Sequence, residues 1–526
     1  MINLIFRNHS ESSIQSDDLL ALGNLYDQFS FYVPGFRFMP AYERGAWDGK
    51  IHLVDLRSKT FPTGLLNQIE SYLTDSNIEY TKERFPESVS RETNEELEEF
   101  IKSHHYYSKG KEIFPREDQT EAIIRAIHEK RCINICPTSF GKSLCIFIQA
   151  LFHIEKLGSK VIIVVPSVNL VRQFKNDIID YCTGPEGVRL PVMQEIYSGH
   201  SKTIEHDTDI VITTWQSIFK LDPSWINQFG CLILDEAHKG SANCIRKVFQ
   251  DATEVAYRTG WTGSLKESSL VGLQAESLIG PIKVITDTAT LMDKGIVADL
   301  SIECVRFQYD PDVVEDLSSY LEGKKSVTGS GKNVYNDEVK FLESFYSRNK
   351  TIIDMAASIK KTGLLLYTHV AHGKTLYEYA RHYYPNRNVY RIDGSCVIRN
   401  DEKFNTYEEL KSIIEKEEDA ILICSFGVFS TGVSIKNIHY IFFTVPVKSY
   451  VRTIQSIGRG LRISDTKRKI ILFDLIDDLC KKAKSRVKEN YAYKHFKERF
   501  AMYNEQKFKY NMSTIRVHYV TPRDSL

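Results

Sequence analysis

The sequence predicts an α/β protein: two tandem parallel-sheet lobes, with a small α+β domain before them and a short helical extension after them. Three observations predict this. Residues 106–298 alternate short apolar runs with helix-period segments, and residues 346–478 do so again. Runs such as Val161-Ile162-Ile163-Val164-Val165 are apolar throughout, which fits strands covered on both faces of a parallel sheet. A tight loop ending Gly141-Lys142-Ser143 stands between one such run and a helical pattern, the connection a strand–loop–helix unit needs.

Composition bounds the rest. The chain has 526 residues, enough for about three or four domains. A hydrophobic content of 42% and a charged content of 26% are those of a soluble globular protein. Net charge is zero, so no overall field draws the chain to a polyanion, and any such site must be a local patch. The 10 cysteines form no CxxC pair, which points away from zinc and from a disulfide framework. The start carries no signal-peptide pattern, and no apolar run approaches about 18 residues. A cytoplasmic protein with no membrane span is expected.

Residues 1–105 read as the small mixed domain. A strand is expected at 2–6 and a helix at 17–29. The stretch from Phe36 to Lys50 then interleaves aromatics with Arg and Lys, and Asp48-Gly49 reads as a hairpin turn. Aromatic faces stack on bases and cations meet phosphates, so Trp47 and Lys50 are candidate nucleic-acid contacts; a β-domain core is the alternative. Residues 88–102 read as a charged helix. In 106–298, strands are expected at 133–136, 161–165, 210–213, 231–234 and 255–258. The Gly/Ser/Lys stretch 324–333 reads as a loop within a mobile 320–340 insertion, part of an interdomain connection. The second lobe (299–478) has expected strands at 364–367, 389–392, 420–424, 440–443 and 470–473. Residues 481–526 carry twelve Lys/Arg against four Asp/Glu, interleaved with aromatics. They form either a basic helix on nucleic acid or a helix packing its aromatic stripe on the second lobe.

Two constellations carry chemistry. A strand, a tight loop and a helix N-terminus cradle phosphate, because loop N–H groups and the helix dipole both favour an anion. In Pro137-Thr138-Ser139-Phe140-Gly141-Lys142-Ser143, Lys142 reaches the β/γ-phosphates and Ser143 offers a hydroxyl to Mg²⁺. Cys136 stands where such loops usually begin with Gly. Asp235-Glu236-Ala237-His238 follows the apolar run 231–234, at the strand end where α/β sheets bind ligands. Phosphoryl transfer needs one carboxylate for the metal shell and one group to orient and deprotonate water. Asp235, through a water, suits the first role and Glu236 the second.

D-E-A-H at 235–238 with G-K-S at 141–143 resembles a superfamily 2 helicase, and the other motifs follow in that family's order. Pro166-Ser167 to Arg172 is similar to the motif that grips the strand backbone. Thr213-Thr214-Trp215-Gln216 resembles the next nucleic-acid motif. Thr262-Gly263-Ser264 sits where ATP state is coupled to strand binding. Tyr367-Thr368-His369, Thr431-Gly432-Val433-Ser434 and Gln455 to Arg462 resemble the second-lobe motifs. The segment Gly35 to Lys50, with Ser425 to Gly432 and Phe473 to Asp478, resembles a subgroup, the phage recombination helicases.

The resemblance implies two RecA-like lobes and an ATP- and Mg²⁺-dependent motor acting on branched DNA such as D-loops, R-loops, four-way junctions and stalled forks. It implies Arg459 and Arg462 as charge-stabilising groups from the second lobe, Gln119 as an adenine reader, and Gly432 at the nucleotide. Nucleic-acid contacts are expected at Ser167, Arg172, Trp215, His369 and Thr431, and coupling roles at Thr262, Ser264 and Gln455. A monomer in the host-cell cytoplasm is expected. Two alternatives stay open: an RNA helicase, and a DNA-binding or annealing protein with a vestigial ATPase.

Overall fold

The computed structural model describes residues 1–519 apart from 241, 266–268, 329–333, 395, 405–406, 432–434, 436, 448–452, 454–455, 459–460, 462–467 and 484–485. Gly432, Gln455, Arg459 and Arg462 lie outside the described residues, as does the side chain of Thr431. The chain divides into two units, Met1–Thr286 and Asp287–Leu526, a break some residues earlier than the expected one at 298.

The first unit begins with the small domain. Its four-stranded sheet runs in the order Thr60–Pro62, Glu11–Gln15, Ile2–Phe6, Tyr80–Glu83. Ile2, Leu4, Ile14, Leu22, Leu25, Phe61, Ile69 and Leu73 form its core. The helix Leu19–Gln28 starts where Asp18 accepts from the Ala21 N–H, satisfying an orphan donor of the first turn. Thr93 and Glu96 form a capping box ahead of Asn94–Lys102. Asp48-Gly49 is not a tight hairpin turn. Ser30–Tyr32 pairs with Lys50–His52, and the chain between them makes an excursion through a 3-10 turn, Phe36–Phe38, and a short helix, Pro40–Glu43.

The lobe that follows is a seven-stranded parallel sheet, in the order Met193–Ile196, Ile210–Thr214, Val161–Val165, Cys231–Asp235, Tyr257–Thr262, Arg131–Ile135, Ile282–Val284. Because every strand runs the same way, their C-terminal ends share one edge. The expected strand at 255–258 is shifted onward and ends on Thr262. The helix Lys142–Glu155 buries every residue from Leu144 to His153. Gln149 ties it to the sheet, bonding Thr259 Oγ1 at 3.1 Å and accepting from Trp261 Nε1 at 3.3 Å.

The small domain is riveted to this lobe by buried polar groups. Arg131, the first residue of the phosphate-loop strand, donates to the carbonyls of His9, Ile279 and Leu278. Arg258, 1% exposed, donates to Ser10 Oγ and to the carbonyls of Val255, Ala252 and Phe249. Gly64 sits so close that a Cβ there would fall 2.4 Å from the Glu276 carbonyl oxygen and 2.5 Å from that of Ser277.

The second unit is a nine-stranded sheet in the order Glu402–Lys403, Cys396–Arg399, Asn388–Asp393, Ala420–Ser425, Gly363–Tyr367, Tyr440–Phe443, Lys469–Asp478, Asp299–Tyr309, Lys509–Val517. Every strand runs the same way except Cys396–Arg399, which pairs antiparallel with both of its neighbours. The connection expected across 305–345 is corrected. Asp299–Tyr309 is an interior strand, paired on both sides. A helix then runs Pro311–Thr328, through part of the stretch expected as loop, and another runs Val334–Ser344.

The C-terminal helix Tyr491–Glu505 packs on this sheet with Ala492, Phe496, Arg499, Met502 and Tyr503 buried, which favours the packing alternative for the basic, aromatic segment. Glu338 caps it, accepting from the Tyr491 and Ala492 N–H groups at 2.9 and 2.7 Å. The segment then continues into an edge strand, Lys509–Val517, beyond the helical extension expected.

Candidate nucleotide and nucleic-acid site

Five motifs stand at the shared strand edge of the first lobe. Cys136 extends the strand Arg131–Ile135, its N–H donating to the Thr262 carbonyl at 2.8 Å. That position is extended and fully buried, so glycine's freedom is not needed there. Burial pushes the Cys136 thiol up to about 12, and it stays neutral. The turn is made later. Ser139 has φ 69° and Gly141 has φ 93°. Gly141 is the residue before the helix Lys142–Glu155, so the helix's unpaired N–H groups open onto the loop. Lys142 Nζ folds back to the carbonyls of Cys136 and Pro137 at 3.2 and 3.5 Å. Ser143 Oγ lies 2.7 Å from the Tyr181 hydroxyl.

Gln119 lies beneath this loop. Its Nε2 donates to the Phe140 carbonyl at 2.8 Å, and its Oε1 accepts from the Arg116 N–H at 2.9 Å. Arg116 Nη2 donates to the same carbonyl at 3.0 Å, with its guanidinium 5.3 Å from the centre of the buried Phe140 ring. Part of the amide expected to read adenine therefore supports the loop, leaving one N–H and one lone pair for a base. Phe114 stands 70% exposed nearby in the chain.

Asp235 closes its strand in register with Trp261, which pairs in turn with Asn134. Two strand spacings of about 4.8 Å therefore put the acidic pair about 10 Å along the edge from the phosphate-loop strand. Asp235 is buried, and its Oδ1 accepts from the Glu236 N–H at 3.0 Å. Glu236 has φ 57°, a conformation L residues avoid. Two non-glycine residues in this strained region, Ser139 and Glu236, fall in the two chemical motifs, where strain of this kind tends to be kept for function. His238 Nδ1 lies 3.1 Å from Thr262 Oγ1, 3.3 Å from Ser264 Oγ and 3.2 Å from Glu236 Oε2. One imidazole thus joins the acidic motif to Thr262 and Ser264, two of the three residues expected to couple. Gly263 lies against the phosphate loop: a Cβ there would be 3.1 Å from the Cys136 oxygen and 3.3 Å from the Thr138 nitrogen.

The expected nucleic-acid contacts divide. Ser167 is the residue before the helix Val168–Cys182, and Arg172 is exposed one turn on, its guanidinium 5.8 Å from the Tyr197 ring. Trp215 is 8% exposed, packed in the lobe's core with Ile218, Ile245 and Val248 and with Lys239 Nζ 5.6 Å from its ring centre, a burial that argues against the expected base contact. Trp47 is half-buried, its indole N–H donating to the Lys50 carbonyl at 2.7 Å. Lys50 Nζ sits 5.0 Å over Tyr32, which stacks on Phe36, which meets Tyr42 edge-on. Beside them Phe38 is 85% exposed. In the second unit, His369 is partly exposed, with Nδ1 on the Glu343 carboxylate at 2.8 Å.

That unit also buries two ion pairs on one strand. Arg348 grips Asp477 and the Thr444 carbonyl, and Arg499 grips Asp474 and the Val447 carbonyl. They fix the chain just before the segment that carries Arg459 and Arg462. The acids belong to the Phe473 to Asp478 stretch quoted for the subgroup resemblance; their arginine partners gave no sequence signal.

Comparison with known proteins agrees with this geometry. Residues 1–81 match the family "DNA helicase UvsW, N-terminal" and residues 116–266 match "DEAD/DEAH box helicase". The ATP-dependent DNA helicase uvsW of Enterobacteria phage T4 is 30% identical over 506 residues, 94% of this chain and 95% of that one. The chain belongs to the UvsW family of ATP-dependent DNA helicases. A crystal structure of T4 UvsW covers 98% of this chain at 27% identity, with a TM-score of 0.49. The Type ISP restriction-modification enzyme LlaBIII covers 78% of it at 13% identity and TM-score 0.52, a likeness of fold alone. As a UvsW-family member the protein is a nucleic-acid helicase that uses ATP and binds DNA, built on RecA-like lobes. Among the described residues no helix is long and apolar enough to cross a membrane.

Proposed function

We propose that this helicase is a motor for branched DNA — D-loops, R-loops, four-way junctions and stalled forks — in recombination, repair and replication. One observation carries the reading. The aromatic and basic surface of the small domain is tied by Arg131, Arg258 and Gly64 to the same lobe, and in Arg131 to the same strand, that holds the phosphate loop. A duplex or junction held there is held by the motor itself. The reading makes the protein a monomer working in the host-cell cytoplasm, with RNA met in R-loops.

Nucleotide enters at the loop, where phosphates replace the Cys136 and Pro137 carbonyls as partners of Lys142. Ser143 and, through water, Asp235 would hold Mg²⁺; hard oxygen donors suit it, and it supplies charge neutralisation across the β- and γ-phosphates. Glu236, bent out of its strand, orients the attacking water and accepts its proton. Arg459 and Arg462 stabilise charge on the γ-phosphoryl oxygens. The His238 link to Thr262 and Ser264 passes the state of the γ-phosphate to the rest of the lobe. Ser167, Arg172, His369 and Thr431 track the strand backbone.

Gel assays of synthetic substrates test the reading. Four-way junctions and D-loops are expected to be resolved in an ATP-dependent way, and Lys142→Ala to abolish both resolution and ATP turnover. Resolution of simple tailed duplexes alone would overturn the branched-substrate reading.

A further inference from the structure

The motif read as gripping the DNA backbone and the motif read as binding nucleotide are joined by a side chain that belongs to neither. The helix Val168–Cys182 begins after Ser167, carries Arg172 near its start and carries Tyr181 in its last turn. Fourteen residues at 1.5 Å separate Ser167 from Tyr181 by about 21 Å along a rigid rod. At the far end the Tyr181 hydroxyl lies 2.7 Å from Ser143 Oγ. The tyrosine is well fixed. Its ring stacks on Phe147 of the phosphate-loop helix, with centroids 6.0 Å apart and planes 24° from parallel. Its hydroxyl can donate or accept.

A serine hydroxyl has one proton and two lone pairs. Serving as a metal ligand uses one lone pair, and the proton then needs an acceptor. Tyr181 Oη supplies one and sets the direction in which the remaining lone pairs point. Displacing the start of the helix moves that acceptor, because packed helices shift as units.

We propose that Tyr181 is a positioning residue that couples DNA binding at Ser167 and Arg172 to the metal-binding geometry of Ser143. This rests on the proposed roles of those three residues. By reciprocity, whatever DNA does to Mg²⁺-dependent nucleotide binding, Mg²⁺-nucleotide does to DNA affinity.

The test measures affinity for a fluorescent ADP, in Mg²⁺ and in EDTA, with and without duplex DNA. In the wild type, DNA is expected to alter the Mg²⁺-dependent part of the affinity. Tyr181→Phe keeps the ring stack and removes only the hydroxyl. It should change that Mg²⁺-dependent part about three- to tenfold, the worth of one hydrogen bond, and bring the DNA effect close to onefold. Affinity in EDTA should stay at the wild-type value, and the thermal midpoint within a few degrees of it, since a single buried hydrogen bond is lost. In a Ser143→Ala background, Tyr181→Phe should have no further effect. Unchanged Mg²⁺ dependence and DNA effect in Tyr181→Phe overturns the proposal, as does an equal loss in the Ser143→Ala background. If Ser143→Ala itself leaves Mg²⁺ dependence intact, the metal-ligand assignment fails, and the proposal fails with it by a separately visible route.

Discussion

Replacing Gly263 with alanine tests whether the coupling motif and the phosphate loop act as one packed body. The new methyl would meet the Cys136 oxygen at 3.1 Å, the Thr138 nitrogen at 3.3 Å and the Pro137 carbonyl carbon at 3.4 Å. All three atoms are backbone, so no side chain can swing aside. Comfortable contacts begin near 3.5 Å, so the loop or the Thr262-Gly263-Ser264 turn must move by about 0.4 Å. The cost to folding is modest, about 1 kcal/mol for one added methyl. The cost to catalysis is larger, since about 1 Å of misplacement can remove 10²-fold of rate; a shift of 0.4 Å should remove about fivefold to tenfold. The valine variant, with two more methyls against the same backbone, should lose more than 10²-fold. The assay is DNA-stimulated ATP turnover beside a thermal melt. Alanine is expected to lower kcat with the melting temperature within a few degrees of wild type. Wild-type turnover in both variants would show that the loop does not feel this turn.

Other substitutions probe the supports. Gly64→Val places methyls inside contact distance of the Glu276 and Ser277 carbonyls, so the small domain should detach; trypsin should then release it by cutting near the exposed Arg91, with basal ATPase retained. Arg499→Ala leaves the Asp474 carboxylate buried with the Tyr503 hydroxyl but without its guanidinium, and denaturant unfolding should show a loss of about 3–5 kcal/mol; a loss under about 1 kcal/mol would refute the pairing's importance. Burial, then Arg258, Arg131 and Lys130, hold the His9 imidazole down to about 4. Its folded value lies below the unfolded 6.5 or so, so the unfolded chain takes up the proton first. Stability is complete above pH 6.5 and falls as pH drops from there to about 4. Solvent screening at this half-buried ring limits the change to about 1–2 kcal/mol, and His9→Asn should flatten that part of a stability–pH profile.

Much of this architecture is legible in the sequence because its signals are local. Apolar runs such as 161–165 must be buried strands, and a Gly-Lys-Ser loop after one strand and Asp-Glu after another must meet at the same edge once the strands are parallel. Where the deciding partner is remote, the reading fails. Lys509–Val517 pairs with Asp299–Tyr309 about two hundred residues away, and nothing within either run announces the other. Trp215 looks like a stacking platform beside two threonines; only the packing of Ile218, Ile245 and Val248 around it shows a core residue. Arg131 and Arg258 gave no sequence signal, because their roles depend on the His9 carbonyl and the Ser10 hydroxyl of the small domain being brought to them. Tyr181 carries no motif at all, since its role depends on two helices lying side by side.

Steady-state ATP hydrolysis, measured with single-stranded DNA, duplex DNA, a synthetic four-way junction and the matching RNA forms, tests the central claim most directly. The account predicts strong stimulation by DNA, greatest with the junction, and loss of the junction preference when the small domain is detached by Gly64→Val. Stimulation by RNA alone, or equal stimulation by every DNA form with and without that domain, would contradict it.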